Sequence, residues 1–516
     1  MNHKKKIRLE VFLPPWILLA AVIAVSLINY DALYDSMALV AGWITNDMAW
    51  LLNSSGIMCL VVLLVIYVSK FSKVKIGGAK AEPIVNKRNW RYITLTTTIG
   101  AGLLFFASSE PLLHFMNPPA NITEGSASGA AAIWAMETLY LEWTWVPYAI
   151  YTVAALMFAF VFYNMRKKQT LSAVLIPVLG EQICDKISPL VDAVCLFSLV
   201  LGVASAMGVG AMNIAGGLEN TFGIKSESKV WFIIIIAIVL TFLLSAISGI
   251  TKGISKLANL NVNFYWFLIV FLLVFGPTFF ILNFGVETVG SFLADFFRIA
   301  SWTSSSSGDG WAGSWPVYYL CAWYSWTPVT AVFLGRISKG YTVREVITTN
   351  LIFPAIFSTV WIALFGGAAI YYESAGAGLY DIMTTSGMES VVYNVFKQMP
   401  FSVIVIPIYI FVVFISFVTA TNSNTTAMAG LCVSGIDCDD AEAPTYMKVI
   451  WAVTVGVVTF ILLQTNGIDG IKMACNVAGL PICILEIGMV IGLVKIMKNP
   501  WHYDYYKEDY DEKEKG

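Results

Sequence analysis

Charged residues are scarce in this 516-residue sequence, and their scarcity sets the first limit on what the protein can be. Asp, Glu, Lys and Arg make up 12% of the chain and hydrophobic residues 58%, whereas charged residues form about a quarter of an ordinary soluble domain. The net charge of −2 offers no electrostatic footprint for binding nucleic acid. The composition therefore predicts an integral membrane protein.

Residues that bind metals or act as nucleophiles are also few. The three histidines, His3, His114 and His502, have spacings that match no zinc or haem motif. The eight cysteines fall in predicted spans or on the predicted cytoplasmic side and indicate no disulfide framework. No nucleophile, base and orienting group stand out together. We therefore expect a protein that is not an enzyme and carries no cofactor beyond a coupling ion.

Apolar runs of about 20 residues, the length that crosses a bilayer, recur along the whole chain. The first of them lacks a small-residue cleavage site, so we expect it to stay as an anchor rather than act as a cleavable signal peptide. The twelve predicted spans are residues 11–29, 50–69, 92–116, 143–164, 189–214, 229–248, 263–284, 315–335, 346–371, 401–430, 447–464 and 472–495. An even number of spans places both ends of the chain on one side.

Lysine and arginine are unevenly distributed over the segments between these spans. If the N-terminus is cytoplasmic, 26 of the 31 Lys and Arg residues lie in inner segments. This bias follows the positive-inside rule. It predicts a multi-pass protein of the inner (cytoplasmic) cell membrane with cytoplasmic N- and C-termini.

Two outer segments and the C-terminal tail have their own patterns. Residues 286–299 and 388–398 could form amphipathic helices over the outer mouth, either as surface packing or as gates. The tail, residues 499–516, is aromatic and acidic, and we expect it to be a solvated, disordered end.

The stretch from residue 315 to residue 345 combines aromatic residues with a basic turn. Six Trp and Tyr residues fall between Trp315 and Trp326, and Pro328 interrupts the run. Ring faces carry negative potential, so several rings turned into one cavity can bind a bulky, weakly hydrated cation. The alternative is that the rings serve helix packing or an interfacial belt. The first interpretation predicts a transporter for a quaternary ammonium compound.

Spans three and four carry patterns that fit such a site. Span three reads Thr-Thr-Ile-Gly-Ala-Gly over residues 97–102, and this content lets a membrane helix unwind at the bilayer midplane, where inverted-repeat transporters bind their substrates. In span four, Tyr148 and Tyr151 share a helix face, and a kink at Pro147 could bring Trp143 to the same cavity.

These motifs together resemble the betaine/carnitine/choline transporter family over nearly the whole chain. The most specific part is Trp326-Thr-Pro328 followed by Gly335-Arg-Ile-Ser-Lys-Gly340 and Arg344-Glu345. The Gly100-Ala-Gly102 segment with Ser-Ser-Glu110-Pro111, the Trp143–Tyr151 pattern and Phe417-Val-Thr419 match in family order.

The resemblance implies an all-α membrane fold of twelve transmembrane helices. Two LeuT-like inverted five-helix repeats, spans 3–7 and 8–12, would follow two leading helices, and the assembly would be a homotrimer. The implied division of the chain is an N-terminal tail (1–10), leading helices (11–90), first repeat (91–285), outer loop with amphipathic helix (286–314), second repeat (315–495) and cytoplasmic acidic tail (496–516).

By the same resemblance, the substrate's ammonium group would bind among aromatic rings and beside the backbone of span three. The implied substrate-binding residues are Trp143, Tyr148, Tyr151, Trp323, Trp326, Thr98, Gly100, Ala101 and Gly102. The chain departs from the usual family pattern at Thr98, where a glycine is common, and at Tyr148 and Ala322, where tryptophan is common. Each departure changes the space available to the substrate.

A sodium ion is the coupling ion that the resemblance implies. Its ligands would be the carbonyls of Thr96, Ile99 and Ser416 and the hydroxyl of Thr419. A second hydroxyl position is Ala420, which removes a ligand. Ion-independent exchangers of the family place a basic side chain in this site from span seven, and here the segment is Asn261-Val-Asn. This favours sodium over ion-independent exchange.

Glu142 is a carboxylate that precedes Trp143 at the edge of a predicted span. Relatives commonly have histidine at position 142. Carboxylates in spans are rare and usually functional. It could counter the substrate's charge, couple transport to a proton, or simply cap the helix at the outer water boundary. The predicted function is secondary active import or exchange of a betaine-type compound. The alternatives are proton-coupled or ion-independent exchange, and an osmosensor or receptor.

Overall fold

The computed structural model describes residues 6–247, 250–436 and 443–510, and this part of the chain is almost entirely helical. The first half contains α1 Leu9–Ile28, α2 Tyr30–Asp47, α3 Ala49–Val68, α4 Lys87–Thr98, α5 Gly100–Met116, α6 Gly129–Trp143, α7 Trp145–Ala159, α8 Ile176–Leu179, α9 Glu181–Phe222, α10 Ser228–Ile247 and α11 Ile250–Phe275. The second half contains α12 Thr278–Ala300, α13 Trp311–Ser314, α14 Pro316–Val329, α15 Gly335–Ile337, α16 Val343–Ile347, α17 Phe353–Ser374, α18 Leu379–Ser386, α19 Val391–Lys397, α20 Ser402–Leu431, α21 Thr445–Lys498 and α22 Pro500–Tyr503. Two short strands, β1 Lys6–Ile7 and β2 Val433–Ser434, pair antiparallel.

Every predicted span coincides at least in part with a helix. Within the described residues, nine helical stretches are long and apolar enough to cross a membrane, and the bent pair α4 and α5 makes a tenth if it is one crossing. The protein is therefore an all-helical, multi-pass membrane protein. The count of twelve crossings stays a prediction.

Four of the predicted boundaries differ from the helices. The helix of span four begins at Gly129, well before residue 143, and is interrupted only at Thr144. Span seven was predicted to run through residues 276–277, but Gly276 and Pro277 separate α11 from α12, because proline cannot continue the helix of the preceding turn. The boundary predicted between residues 285 and 286 consequently falls inside α12. The segment between predicted spans eleven and twelve, residues 465–471, is helical and belongs to the long helix α21.

Span three is interrupted, as its glycine and threonine content predicts. The regular helix stops at Ile99, and Lys87–Thr98 and Gly102–Met116 are bent by 52° with respect to each other. The most buried helices, α6, α7 and the centre of α9, surround this bend together with α14 and α20. The break therefore lies in the middle of the bundle.

The segments predicted to be cytoplasmic meet at one end of the bundle. Arg8 donates to Asp192 at 2.7 Å, to Ser188 at 3.0 Å and to the carbonyl of Leu431 at 3.2 Å. Asp192 is fully buried and also accepts from the amide of Leu171 at 2.7 Å. The start of α1, the start of α9 and the end of α20 are thereby joined through one ion pair.

The prediction of a disordered C-terminal end is wrong for its first part, because residues 499–510 pack on two loops of this same end. The amide of Tyr505 donates to the carbonyl of Asn164 at 2.9 Å, and Lys80 pairs with Asp509 at 2.7 Å. Tyr506 lies against Gly78, where a Cβ atom would come within 2.6 Å of the ring. Aromatic side chains give the tail enough contact surface to dock despite its charge; residues 511–516 lie outside the described part.

The two predicted amphipathic outer segments are helical. Residues 286–299 lie in α12, and residues 388–398 form a 3₁₀ turn, Met388–Ser390, followed by α19. Burial raises the pKa of Glu389, at the start of this second segment, to about 7. Both helices pack on the bundle, as α12 contacts α6 and α17 and α19 contacts α5, α17 and α20.

Candidate functional site

A cavity of about 90 Å³ lies beside the break in span three. Its walls come from α5, the end of α6, α7, α9, α14, α20 and α21. The walls are mostly apolar and aromatic, with a few polar groups such as Thr421 and Asn424 of α20. A concave, mostly apolar cavity with few polar groups is the usual form of a small-molecule site.

Aromatic rings from both halves of the chain meet at this cavity. The rings of Trp143 and Trp323 lie 5.1 Å apart, and those of Tyr151 and Trp323 lie 5.3 Å apart, both edge to face. Tyr319 packs on Trp143 at 5.2 Å, and Phe106 packs on Trp143 at 5.7 Å. We call Trp143, Tyr151, Tyr319 and Trp323 the aromatic cage. The alternative of rings that face lipid is excluded for this group, since each ring is buried.

The break between α6 and α7 helps to orient the cage. At Thr144 the backbone leaves the helical conformation, with φ −124° and ψ −107°. The indole N–H of Trp323 donates to the backbone carbonyl of Glu142 at 2.7 Å. A hydrogen bond between α14 and the break thus fixes the ring of Trp323 against Trp143.

The structure brings most of the predicted substrate-binding residues to the cavity. Thr98, Gly102, Trp143, Tyr151, Trp323 and Trp326 line it. Gly100 and Ala101 belong to the first turn of α5, but their surroundings lie outside the described part of the structure. Tyr148 is not among the described residues that line the cavity, because its hydroxyl lies 2.8 Å from that of Ser358 on α17. Of the five aromatic residues in the predicted set, Trp143, Tyr151, Trp323 and Trp326 line the cavity and Tyr148 does not.

Two of the predicted ion ligands, Thr96 and Ile99, lie at the end of α4 and at the break, and the other two, Ser416 and Thr419, lie on α20, which packs on α4 and α5. Ile99 lines the cavity, and the hydroxyl of Thr419 donates to the carbonyl of Ile415 at 2.9 Å, which leaves its lone pairs available. The side chain of Ser416 contacts the amide of Asn261 at 2.9 Å and the hydroxyl of Tyr265 at 2.8 Å. Thr96 is buried, and its hydroxyl bonds back to its own helix. Ala420 lines the cavity and contributes no side-chain oxygen.

Sodium requires hard oxygen ligands, and the neighbourhood of Ser416 supplies them. The amide oxygen of Asn261 is buried and has no hydrogen-bond partner among the described residues. An orphaned oxygen of this kind, together with the hydroxyl of Thr419, fits a small cation. From the sequence, Asn261 was noted only because it carries no charge, and its amide oxygen was not identified as a possible cation ligand.

Glu142 does not cap a helix at the water boundary. It is 3% exposed and precedes the Thr144 break inside the long helical stretch from residue 129 to residue 164. The predicted spans leave out the helix before residue 143, because the alanine-rich start of α6 lacks the long apolar run that marks the other spans. Sequence reasoning also missed Phe106 and Tyr319, although Tyr319 belongs to the aromatic run that drew attention to this region.

Gly102 is the residue that lets Trp143 approach span three. A Cβ atom at position 102 would lie 2.6 Å from the indole of Trp143. Gly102→Ala is therefore expected to displace this ring and to weaken substrate affinity by roughly fivefold, since overpacking typically costs about 1 to 3 kcal/mol. Binding measured by calorimetry on the purified protein checks this.

Gly290 on α12 is the matched control for this substitution, since nothing lies within 4 Å of an added Cβ there. Gly290→Ala should leave affinity unchanged. Wild-type affinity in Gly102→Ala would show that Trp143 does not need its present position.

A buried cavity with cation-attracting walls, enclosed by membrane-length helices, defines a membrane transporter for a small organic solute. The profile of BCCT, the betaine/carnitine/choline family transporters, matches residues 10–502. The chain belongs to this family, whose members are transporters and not enzymes.

Curated relatives cover most of the chain at low identity. The glycine betaine transporter OpuD of Bacillus subtilis is 27% identical over 484 residues, 93% of this chain and 93% of that protein. The ectoine/hydroxyectoine transporter of Virgibacillus pantothenticus is 25% identical over 454 residues, 88% and 89% of the two chains. An osmo-dependent choline transporter of Acinetobacter baylyi is 26% identical over 461 residues, 89% and 67%.

Proposed function

We propose that this protein is a secondary active transporter that imports or exchanges a quaternary ammonium or betaine-type compound by alternating access. The observation that carries the proposal is the aromatic cage, in which rings from α6, α7 and α14 meet at a buried cavity. A methylated ammonium group is bulky and weakly hydrated, and ring faces attract it by about 0.5 to 2 kcal/mol per contact.

Uptake into proteoliposomes tests this proposal. Radiolabelled choline, glycine betaine, carnitine, butyrobetaine, ectoine and dimethylsulfoniopropionate should be compared, each with and without an outward gradient of unlabelled substrate. Saturable uptake of at least one methylated onium compound supports the proposal. Absence of uptake and of binding across the panel would refute it.

We further propose that sodium drives transport, with ligands from Thr96, Ile99, Ser416 and Thr419. The hydroxyl of Thr419 and the orphaned amide oxygen of Asn261, whose amide nitrogen donates to Ser416, are hard oxygens that support a cation site near Ser416 and Thr419. When bound, the ion would add positive charge and rigidity at the bend. Replacing sodium by potassium should then abolish concentrative uptake.

Thr419→Val is expected to raise the sodium concentration for half-maximal uptake by about tenfold, because one hard oxygen ligand is lost from the cation's shell. Initial uptake rates at a series of sodium concentrations measure this. Thr454→Val is the matched control, since Thr454 makes the same bond to the carbonyl four residues earlier on α21. An unchanged sodium dependence in Thr419→Val would contradict the proposed set of sodium ligands.

The alternative driving force is a proton, or exchange without an ion. The buried carboxyl group of Glu142 next to the cage favours the proton as this second candidate. Substrate uptake in sodium-free medium under an imposed pH gradient separates the two.

For the architecture we propose two inverted five-helix repeats, spans 3–7 and 8–12, after two leading helices. The first helix of each proposed repeat departs from regular α-helix: span three breaks at Ile99, and α14 passes at its end into a π-helical turn at Thr330–Leu334. We also propose a homotrimer in the inner cell membrane with cytoplasmic termini. Native mass spectrometry and accessibility labelling on intact cells test these two points.

A further inference from the structure

Two glutamates and a histidine form a buried cluster beside the aromatic cage. Glu110 and His114 on α5 are 0% exposed, and Glu142 on α6 is 3% exposed. One carboxylate oxygen of each glutamate and one ring nitrogen of His114 all lie within 4.8 Å of one another. Ionisable groups inside a membrane protein are costly and usually functional. Neither the aromatic cage nor the sodium ligand set uses this cluster.

The two carboxyl groups have unequal surroundings. Glu110 accepts from the hydroxyl of Tyr319 at 2.7 Å and from the indole of Trp143 at 3.3 Å, and it lies 3.3 Å from His114 Nε2. Neither oxygen of Glu142 has a hydrogen-bond partner of ordinary geometry among the described residues. Two buried carboxyl groups this close together disfavour each other's charged form, which favours one shared proton over two carboxylates. Glu142 is the group with an oxygen free to carry that proton.

The other charged and titratable groups that face Glu142 come from three helices. Glu110 and His114 belong to α5, Tyr318 and Tyr319 to α14, and Lys472 to α21. The ammonium of Lys472 lies 3.8 Å from the ring centroid of Trp315 and 5.1 Å from that of Tyr318. It interacts electrostatically with both Glu142 and His114.

The aromatic cage is bonded directly to this carboxyl pair. Trp143 donates to the carboxylate of Glu110, and Trp323 donates to the backbone carbonyl of Glu142 at 2.7 Å. A positive charge held against these two rings from the cavity lies close to the pair in surroundings with little water, where electrostatic interactions are strong. The charge stabilises a second carboxylate and so competes with the proton.

We propose that Glu110 and Glu142 form a proton-linked counter-charge, which holds one proton in the empty transporter and releases it when a net cation enters the aromatic cage. This inference rests on the proposed function. The O–H bond of the pair breaks, its electrons stay on the carboxylate, and the proton passes to water. A zwitterion carries its own carboxylate and does not drive this release. The site consequently selects cationic quaternary ammonium compounds of the choline type over betaines.

Calorimetry on the purified full-length protein tests the release. Choline is titrated at one pH in two buffers of different ionisation enthalpy, and the difference in heat gives the protons released per bound ligand. About one proton is expected for choline and about none for glycine betaine, because only the net cation changes the charge of the pair. Choline binding without proton release overturns the inference.

The pH dependence of affinity is a second measurement that needs no variant. Proton and cation oppose each other, so choline affinity should rise with pH, by at most about tenfold per pH unit because one proton is exchanged. The range from about pH 5 to about pH 9 covers the titration of a buried carboxyl pair. A dissociation constant for choline that does not change over this range overturns the inference even if every variant fails to fold.

Glu142→Gln should bind choline without releasing a proton and without pH dependence. Glu137→Gln is the matched control: Glu137 is a buried glutamate on the same helix that is bonded to Ser291 and lies 3.8 Å from Arg298. The Glu137→Gln variant should release the proton on binding choline, as the wild type does. Continued release in Glu142→Gln contradicts the proposal. Failure of the wild type to bind any quaternary ammonium compound refutes the proposed function instead.

Discussion

Trp323→Leu is expected to weaken substrate binding at least tenfold. Trp323 is the central ring of the aromatic cage, since it packs edge to face on both Trp143 and Tyr151. Its loss removes one cation–π contact and the hydrogen bond to the carbonyl of Glu142 that orients the ring. Tenfold in affinity corresponds to about 1.4 kcal/mol, within the range of a desolvated contact. Calorimetric titration of the best substrate measures the effect.

Trp266→Leu is the matched control for this experiment. Trp266 on α11 is 46% exposed and packs on Phe357, and it does not line the described cavity. The affinity of this variant should equal that of the wild type. If Trp323→Leu bound substrate with wild-type affinity, the aromatic cage would have no part in substrate recognition. The proposed function would then lose its main support.

Asp192→Ala is expected to lower the free energy of unfolding by about 3 to 5 kcal/mol, the usual cost of removing one partner from a buried ion pair. The substitution removes the carboxylate that accepts from the guanidinium of Arg8 and from the amide of Leu171. One of the ties between the start of α1 and α9 would also be lost. Thermal unfolding in detergent, followed by tryptophan fluorescence, measures the loss.

Glu10→Ala tests whether burial is what makes this pair strong. Glu10 lies 3.7 Å from the same arginine, but its side chain is 55% exposed. Exposed ion pairs contribute about 0 to 1 kcal/mol, so stability should change little. Equal losses in Glu10→Ala and Asp192→Ala would contradict the assignment of Asp192 as the anchor.

Local patterns predicted the parts of this protein that depend on one segment at a time. Apolar runs predicted the helices, and the glycine and threonine content of residues 97–102 predicted the interruption of span three. The aromatic run after Trp315 predicted a site of cation-attracting rings, and Trp143, Tyr151 and Trp323 do line one cavity. Each of these inferences needs only the period, length or chemistry of a single stretch.

Contacts between distant segments were beyond what one sequence allows. Tyr148 belongs to the correct helix and face, yet it bonds to Ser358 on α17, more than 200 residues away. The cluster of Glu110, His114 and Glu142 depends on where α5 and α6 cross, and periodicity does not give a crossing point. The helix before residue 143 was missed although Ser128 caps its first turn, because a helix buried on nearly all sides has no amphipathic period.

The docking of the tail has a practical consequence for how the protein is handled. Residues 504–510 touch the loops around Lys75 and Asn164, and the hydroxyl of Tyr510 contacts both backbone groups of Lys75. A fluorescent reporter or purification tag that replaces residues 504–510 would remove their contacts with these loops. A tag fused after Tyr510 leaves the contacts intact, so the fusion point belongs there.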